Sequence, residues 1–144
     1  EFRPVAMRSE LKDVKGRTVL ADYYNANPGS VRAALETLAS LKTGKRTIAV
    51  LGDMLELGDA AAASHLAIGA TAAKLGIDLM ITVGPLAKHI AEGAVAAGMA
   101  RDRVLEADTT SRGAALLKER SRPGDTVLIK GSRGMKMEKV LEEF

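Results

Sequence analysis

Ala21-Asp22-Tyr23-Tyr24-Asn25-Ala26-Asn27-Pro28 is the stretch on which the reading of this chain turns. It follows a short strand-forming run, Thr18-Val19-Leu20. It precedes a segment in which Val31, Ala34, Leu35, Leu38 and Leu41 recur at helical spacing. Asp22, Asn25, Asn27 and their tyrosine neighbours therefore crowd a strand-to-helix turn that a proline closes. In an open α/β sheet, ligands bind in the loops at the carboxyl ends of the strands. Asn, Asp and Pro are also ordinary turn and cap residues, so the rest of the chain decides between a polar turn and a binding loop.

Working outward, the alternation repeats. The first strand is expected over Thr18–Tyr23. The helix behind the loop is expected from about Gly29 to Leu41, with Ser30 or Asn27 as N-cap and Gly44 as C-cap. Thr47-Ile48-Ala49-Val50-Leu51 is a continuous apolar run, as in a central parallel strand buried on both faces. It leads into Gly52-Asp53-Met54-Leu55-Glu56-Leu57-Gly58, then a helix over 59–75 whose small residues suit a close approach to the sheet. Leu79–Val83 is a third strand, and Gly84-Pro85 is expected to open the third helix with proline at its first position. Arg103-Val104-Leu105 is a short fourth strand, and Thr110 or Ser111 caps the helix that carries Ala114, Leu116 and Leu117. Thr126–Ile129 is the fifth strand. It ends in Lys130-Gly131-Ser132-Arg133-Gly134, ahead of a last helix with Met137, Val140, Leu141 and Phe144 on one face.

Strands alternating with helices over short connections predict an α/β domain of Rossmann-like, three-layer form. Its sheet is mostly parallel, with about five to six strands and helices on both faces. Residues 1–17 read as an irregular lead-in ending in a turn at 14–17, and residues 18–144 as the domain itself.

Composition narrows the function classes. A length of 144 residues suits one domain with a sizeable core, and 47% hydrophobic residues is too many for disorder. No apolar run is long enough to span a bilayer and no signal-peptide pattern opens the sequence, so a cytoplasmic location without membrane insertion is expected. The chain has no cysteine, which removes disulfide and thiolate chemistry. A net charge of +3 with both signs interspersed, two Phe, two Tyr and no Trp argue against a nucleic-acid partner. His65 and His89 lack the partner residues of a metal site and read as structural or surface side chains. The sequence has no P-loop, no dinucleotide-binding glycine motif and no nucleophile elbow, so no catalytic residue is assigned.

If the strands are parallel, three loops gather on one sheet edge: 22–28, 52–58 and 130–134. Asp22, Asn25, Asn27, Asp53 and Glu56 would face Lys130, Ser132 and Arg133, the last three at a helix start that favours anions. Such a cleft suits a ligand bearing both an amine and a carboxylate, or a nucleotide with its ribose on a carboxylate.

The three segments, in this order, resemble the C-terminal domain of the Mur ligase family. The motifs are Asp22-Tyr23-Tyr24-Asn25-Ala26-Asn27-Pro28, Val50 to Gly58, and Leu128-Ile129-Lys130-Gly131-Ser132-Arg133-Gly134-Met135 with Met137-Glu138. Within the family they look like the enzymes that add D-Ala-D-Ala to UDP-N-acetylmuramoyl-tripeptide. The resemblance runs from about Pro4 to Phe144. It implies the third domain of a three-domain ligase of peptidoglycan precursor synthesis, with the UDP-sugar-binding and central ATPase domains outside this sequence. It implies ATP as cofactor, with Mg²⁺ held mainly by the central domain, and an amide bond formed through an acyl phosphate. By position, Asp22 and Arg8 match nucleotide contacts, and Asn25, Asn27, Lys130, Ser132 and Arg133, with Asp53 in the neighbouring loop, are the candidates for contact with the incoming dipeptide. Ala21 stands where the family commonly has a second acid, and Met7 where it commonly has glycine. Apart from the resemblance, Asp22, Asp53 and Lys130 also allow a receiver-type signalling domain, and the cleft allows a non-catalytic small-ligand module.

Overall fold

The middle of the sheet is set by hydrophobic continuity: β3 (Thr47–Gly52), β4 (Leu79–Val83) and β6 (Thr126–Lys130) are buried at every position. Strands of that kind need cover on both faces. The computed structural model describes residues 10–23, 26–41 and 45–144. With β1 (Glu10–Val14), β2 (Arg17–Asp22) and β5 (Val104–Ala107), the strands form one six-stranded sheet in the order β1-β2-β6-β3-β4-β5. All neighbouring strands run parallel except β1, which pairs antiparallel with β2. The mostly parallel α/β architecture expected from the alternation is the one observed.

β1 corrects the sequence reading, which leaves residues 10–14 irregular. A two-residue turn, Lys15-Gly16, has φ of 55° and 85° at its two positions and returns the chain onto β2. Two left-handed residues are what a tight hairpin with native twist demands. The strand Glu-Leu-Lys-Asp-Val is an edge strand with Leu11 exposed, so it carries none of the apolar run by which the buried strands are recognised.

Two cores flank the sheet. On one face α1 (Pro28–Ser40), α2 (Ala61–Lys74) and α3 (Lys88–Ala96) pack on Leu20, Ala49, Leu51, Met80 and Leu128. On the other, α4 (Thr110–Arg120) and α5 (Glu138–Glu143) pack on Val19, Ile48, Val50, Ile81, Val127 and Ile129. The alternation along β6, Val127 and Ile129 to one side and Leu128 to the other, is the strand period at work.

The helix starts differ from expectation in detail. Asn27 caps α1 in a reciprocal box: its Oδ1 accepts the Ser30 N–H at 2.9 Å and Ser30 Oγ accepts the Asn27 N–H at 3.0 Å. Thr109, rather than Thr110 or Ser111, caps α4 by accepting the Arg112 N–H at 3.1 Å. Pro85 does not open α3. The chain makes a turn first, with Gly84 at φ 111°, and the helix begins at Lys88. The cause lies on a neighbouring strand end: the Asp53 carboxylate accepts the Ala87 N–H at 2.7 Å, and a Cβ on Gly84 would come within 2.5 Å of Asp53 Oδ1. The last helix is likewise preceded by a tight turn over Arg133–Met135, so Met137 lies just ahead of α5. The expected cap at Gly44 falls outside the described residues.

The small residues of α2 serve a different neighbour from the one expected. Their closest approach is to α3 rather than to the sheet. A Cβ on Gly69 would run into the Ile90 carbonyl oxygen, and one on Gly93 into that of Leu66. Backbone meets backbone at both glycines. Gly93→Ala is therefore expected to destabilise the fold by about 1–3 kcal/mol through overpacking, although alanine is the better helix former. Urea unfolding checks this, and an unchanged or raised midpoint would contradict the packing described.

Candidate functional site

Because β2, β6 and β3 are adjacent and parallel, their carboxyl ends lie side by side, with Asp22 opposite Lys130 and Lys130 opposite Leu51. The three loops expected to converge do so. Two glycines let the chains leave the sheet at close quarters: a Cβ on Gly131 would lie 3.2 Å from Gly52 Cα and 2.6 Å from Met137 Cγ. Met137 lies over both positions, since a Cβ on Gly52 would lie 2.7 Å from its sulfur.

Ser132 ties the loops together. Its N–H donates to the Asp53 carbonyl at 3.0 Å, and its Oγ accepts the Leu55 N–H at 2.7 Å. The same hydroxyl reaches the Ala26 carbonyl at 3.4 Å. One small side chain thus joins the loops after β2, β3 and β6, and a hydroxyl suits the task because it both donates and accepts. Beneath it, Lys130 Nζ lies 2.7 Å from Asp22 Oδ2, with side-chain exposures of 1% and 13%. Burying an ammonium without an opposite charge costs several kcal/mol, so the pair forms a fixed link between β2 and β6.

The other candidates separate by exposure. Asp53 is buried and turned toward the α3 turn through Ala87, so its carboxylate works as a helix-start acceptor. Asn27 is exposed, with its side-chain carbonyl oxygen engaged in the α1 cap. Arg133 and Glu56 are exposed at the rim, and Glu56 sits in the left-handed region at φ 65°. Arg8 and Asn25 lie outside the described residues. Among the described residues no group of three or more acidic or histidine side chains is placed to hold a metal ion.

The model of the Mur ligase, glutamate ligase domain matches residues 7–133. This chain belongs to that family. It is 39% identical over 144 residues to UDP-N-acetylmuramoyl-tripeptide–D-alanyl-D-alanine ligase of Bacillus subtilis, an alignment covering 99% of this chain and 31% of that one. The structure of MurF ligase from Thermotoga maritima in complex with ADP superposes with a TM-score of 0.78 at 28% identity, covering 95% of this chain and 30% of that chain. MurF from Acinetobacter baumannii superposes with a TM-score of 0.80 at 28% identity, covering 94% and 30%. The chain is thus a Mur ligase C-terminal domain related to MurF, and it spans less than a third of the length of the relatives it matches.

Within this Mur ligase domain the receiver-like arrangement does not assemble, because Lys130 turns to Asp22 while Asp53 turns to Ala87. Among the described residues no helix is long and apolar enough to cross a membrane.

His65 is a functional-edge residue that sequence reasoning places only as structural or surface. It is fully buried on α2, its Nε2 accepts the Met54 N–H at 2.9 Å, and its Nδ1 faces the Ala61 carbonyl at 2.6 Å. The Met54 donor assigns the ring proton to Nδ1, so a neutral imidazole holds the loop after β3 against α2. No local sequence signal marks this, since the partner amide lies eleven residues away. His89, in contrast, is half-exposed and pairs with Glu92 at 3.0 Å. His65→Ala leaves the buried Met54 N–H without its acceptor, and a loss of about 1–3 kcal/mol is expected in chemical denaturation. Wild-type stability in this variant would show that the loop does not depend on the imidazole.

Proposed function

We propose that this domain is the closing third domain of an ATP-dependent ligase that joins D-Ala-D-Ala to UDP-N-acetylmuramoyl-tripeptide. The observation that carries the reading is the convergence of three loops on one sheet edge, fastened by Ser132 and by the Lys130–Asp22 pair. The relatives support the chemistry: the Bacillus subtilis protein is named for that ligation and the Thermotoga maritima ligase was crystallised with ADP.

The residues present fit a share of a nucleotide site. A carboxylate has about four acceptor positions, so Asp22 can accept ribose hydroxyls while it holds Lys130. Asp22 is 13% exposed, which leaves it reachable from the edge of the sheet. Arg8 is proposed as the second nucleotide contact. ATP, when bound, supplies the phosphoryl group that activates the tripeptide carboxylate, with Mg²⁺ and the phosphates held mainly by a separate ATPase domain. This domain's own residues then orient the second reactant. Asn27, the Ser132–Gly134 segment and Arg133 are the proposed contacts of the incoming dipeptide, with Asn25 a further candidate outside the described residues, and Lys130 and Asp53 act from beneath. Closure of the domain brings the amine to the activated carbonyl and excludes water, which converts a bimolecular encounter into an oriented one. The domain boundary at about residue 18 belongs to the same proposal, with residues 1–17 as the lead-in from the preceding domain, although β1 already pairs with β2.

Two outcomes follow. The 144-residue chain alone is expected to show no D-Ala-D-Ala-dependent ATP turnover, since it has no phosphate-binding loop. Multiple-turnover ligation by these residues would overturn the division of labour. In the ¹⁵N-labelled chain, ADP is expected to shift the Asp22 and Tyr23 amides, and D-Ala-D-Ala the Asn27, Ser132 and Gly134 amides. Shifts confined to the opposite sheet edge, at Thr47, Asp78 and Asp125, would place binding elsewhere.

A further inference from the structure

We infer that Lys130 is a positioning residue for Asp22, setting the carboxylate that receives the nucleotide ribose, rather than a residue that meets the incoming dipeptide. The inference rests on the reading that Asp22 contacts the ribose, and it assigns Lys130 to a different substrate from the one its place in the Lys130–Gly134 loop implies. Three observations carry it. The Lys130 side chain is 1% exposed, so its ammonium is sealed beneath the loops rather than presented to the cleft. Its Nζ is 2.7 Å from Asp22 Oδ2, the length of a charge-assisted hydrogen bond. The two residues are register partners on adjacent parallel strands, so the bond holds the carboxylate from a rigid element.

The chemistry fits the geometry. A carboxylate that accepts ribose hydroxyls must point in one direction, and a free Asp at a strand end samples several rotamers. An ammonium fixed from the neighbouring strand selects one of them. The lysine stem is buried with the apolar face of the sheet, as a long side chain with a charged tip allows. The anionic end of the dipeptide then has Arg133, which is exposed at the rim, and the backbone amides of the loop.

The test measures KM for ATP and for D-Ala-D-Ala in the ligase polypeptide that carries this domain, for Lys130→Met, Asp22→Asn and the double variant. Lys130→Met is expected to raise KM for ATP about ten-fold, the loss of a hydrogen bond to a charged group, and to leave KM for D-Ala-D-Ala unchanged. The double variant is expected to be no worse than the worse single variant, because both remove one arrangement. A rise in KM for D-Ala-D-Ala on Lys130→Met, with KM for ATP unchanged, overturns the inference. So does an unchanged KM for ATP in Lys130→Met when Asp22→Asn raises it. If Asp22→Asn itself leaves KM for ATP unchanged, the ribose reading falls, and the positioning role with it. Should a single variant fail to fold because its partner's charge is left buried and unpaired, the double variant carries no stranded charge and is compared with the unaltered ligase. Equal dipeptide KM in those two supports the positioning role, and a higher one in the double variant refutes it.

Discussion

A buried ammonium that must be matched is the constraint from which the functional edge is built. Lys130 ends the central strand β6 at a position where every neighbour in the strand is buried. An unpaired charge there would be costly, and the residue opposite it on β2, Asp22, supplies a matching carboxylate. Once the pair exists, the loop after β2 departs from a fixed point. Ser132 then needs only short bonds to Leu55, Asp53 and Ala26 to bring the other two loops to it. Gly52 and Gly131 allow this convergence, because side chains there would collide with Met137.

The fold was legible wherever burial leaves a periodic trace. The apolar strands at 47–52, 79–83 and 126–130 and the Val31, Leu35, Leu38 face of α1 follow from their residues alone. What escaped the reading has two causes: an edge strand leaves no apolar trace, and elsewhere the determining partner is distant in sequence. β1 pairs through an exposed edge and shows no apolar pattern. The start of α3 is displaced by Asp53, which is thirty-four residues from the amide it binds. The glycines of α2 match those of α3, a pairing that a one-helix pattern cannot express.

The site divides in the same way. The three loops and most of their polar residues are recognisable as a group, because parallel topology alone brings strand ends to one edge. Which of those residues point outward is not recognisable. Lys130 and Asp53 carry charge and stand in polar loops, yet both are buried and engaged with protein partners. Arg133 and Asn27, which look no different in sequence, are exposed. Charge type therefore identifies the loops, and only the three-dimensional structure separates the buried residues that fasten the edge from the exposed ones.

That separation bears on how a closing domain works. A surface that aligns two reactants is effective only if its own groups do not rearrange as it arrives. Here the loop after β3 is held by an imidazole on α2, the loop after β6 by Ser132, and the loop after β2 by the Lys130 pair. Two of the loops thus start from anchors on rigid elements, and Ser132 joins all three to one another. The edge can then move only with the sheet behind it. On the proposed reading, a rotation of the whole domain delivers ribose contact and dipeptide contact together, since neither loop can advance without the other. On that reading, the buried polar residues that fasten the edge are what make the few exposed ones act in concert.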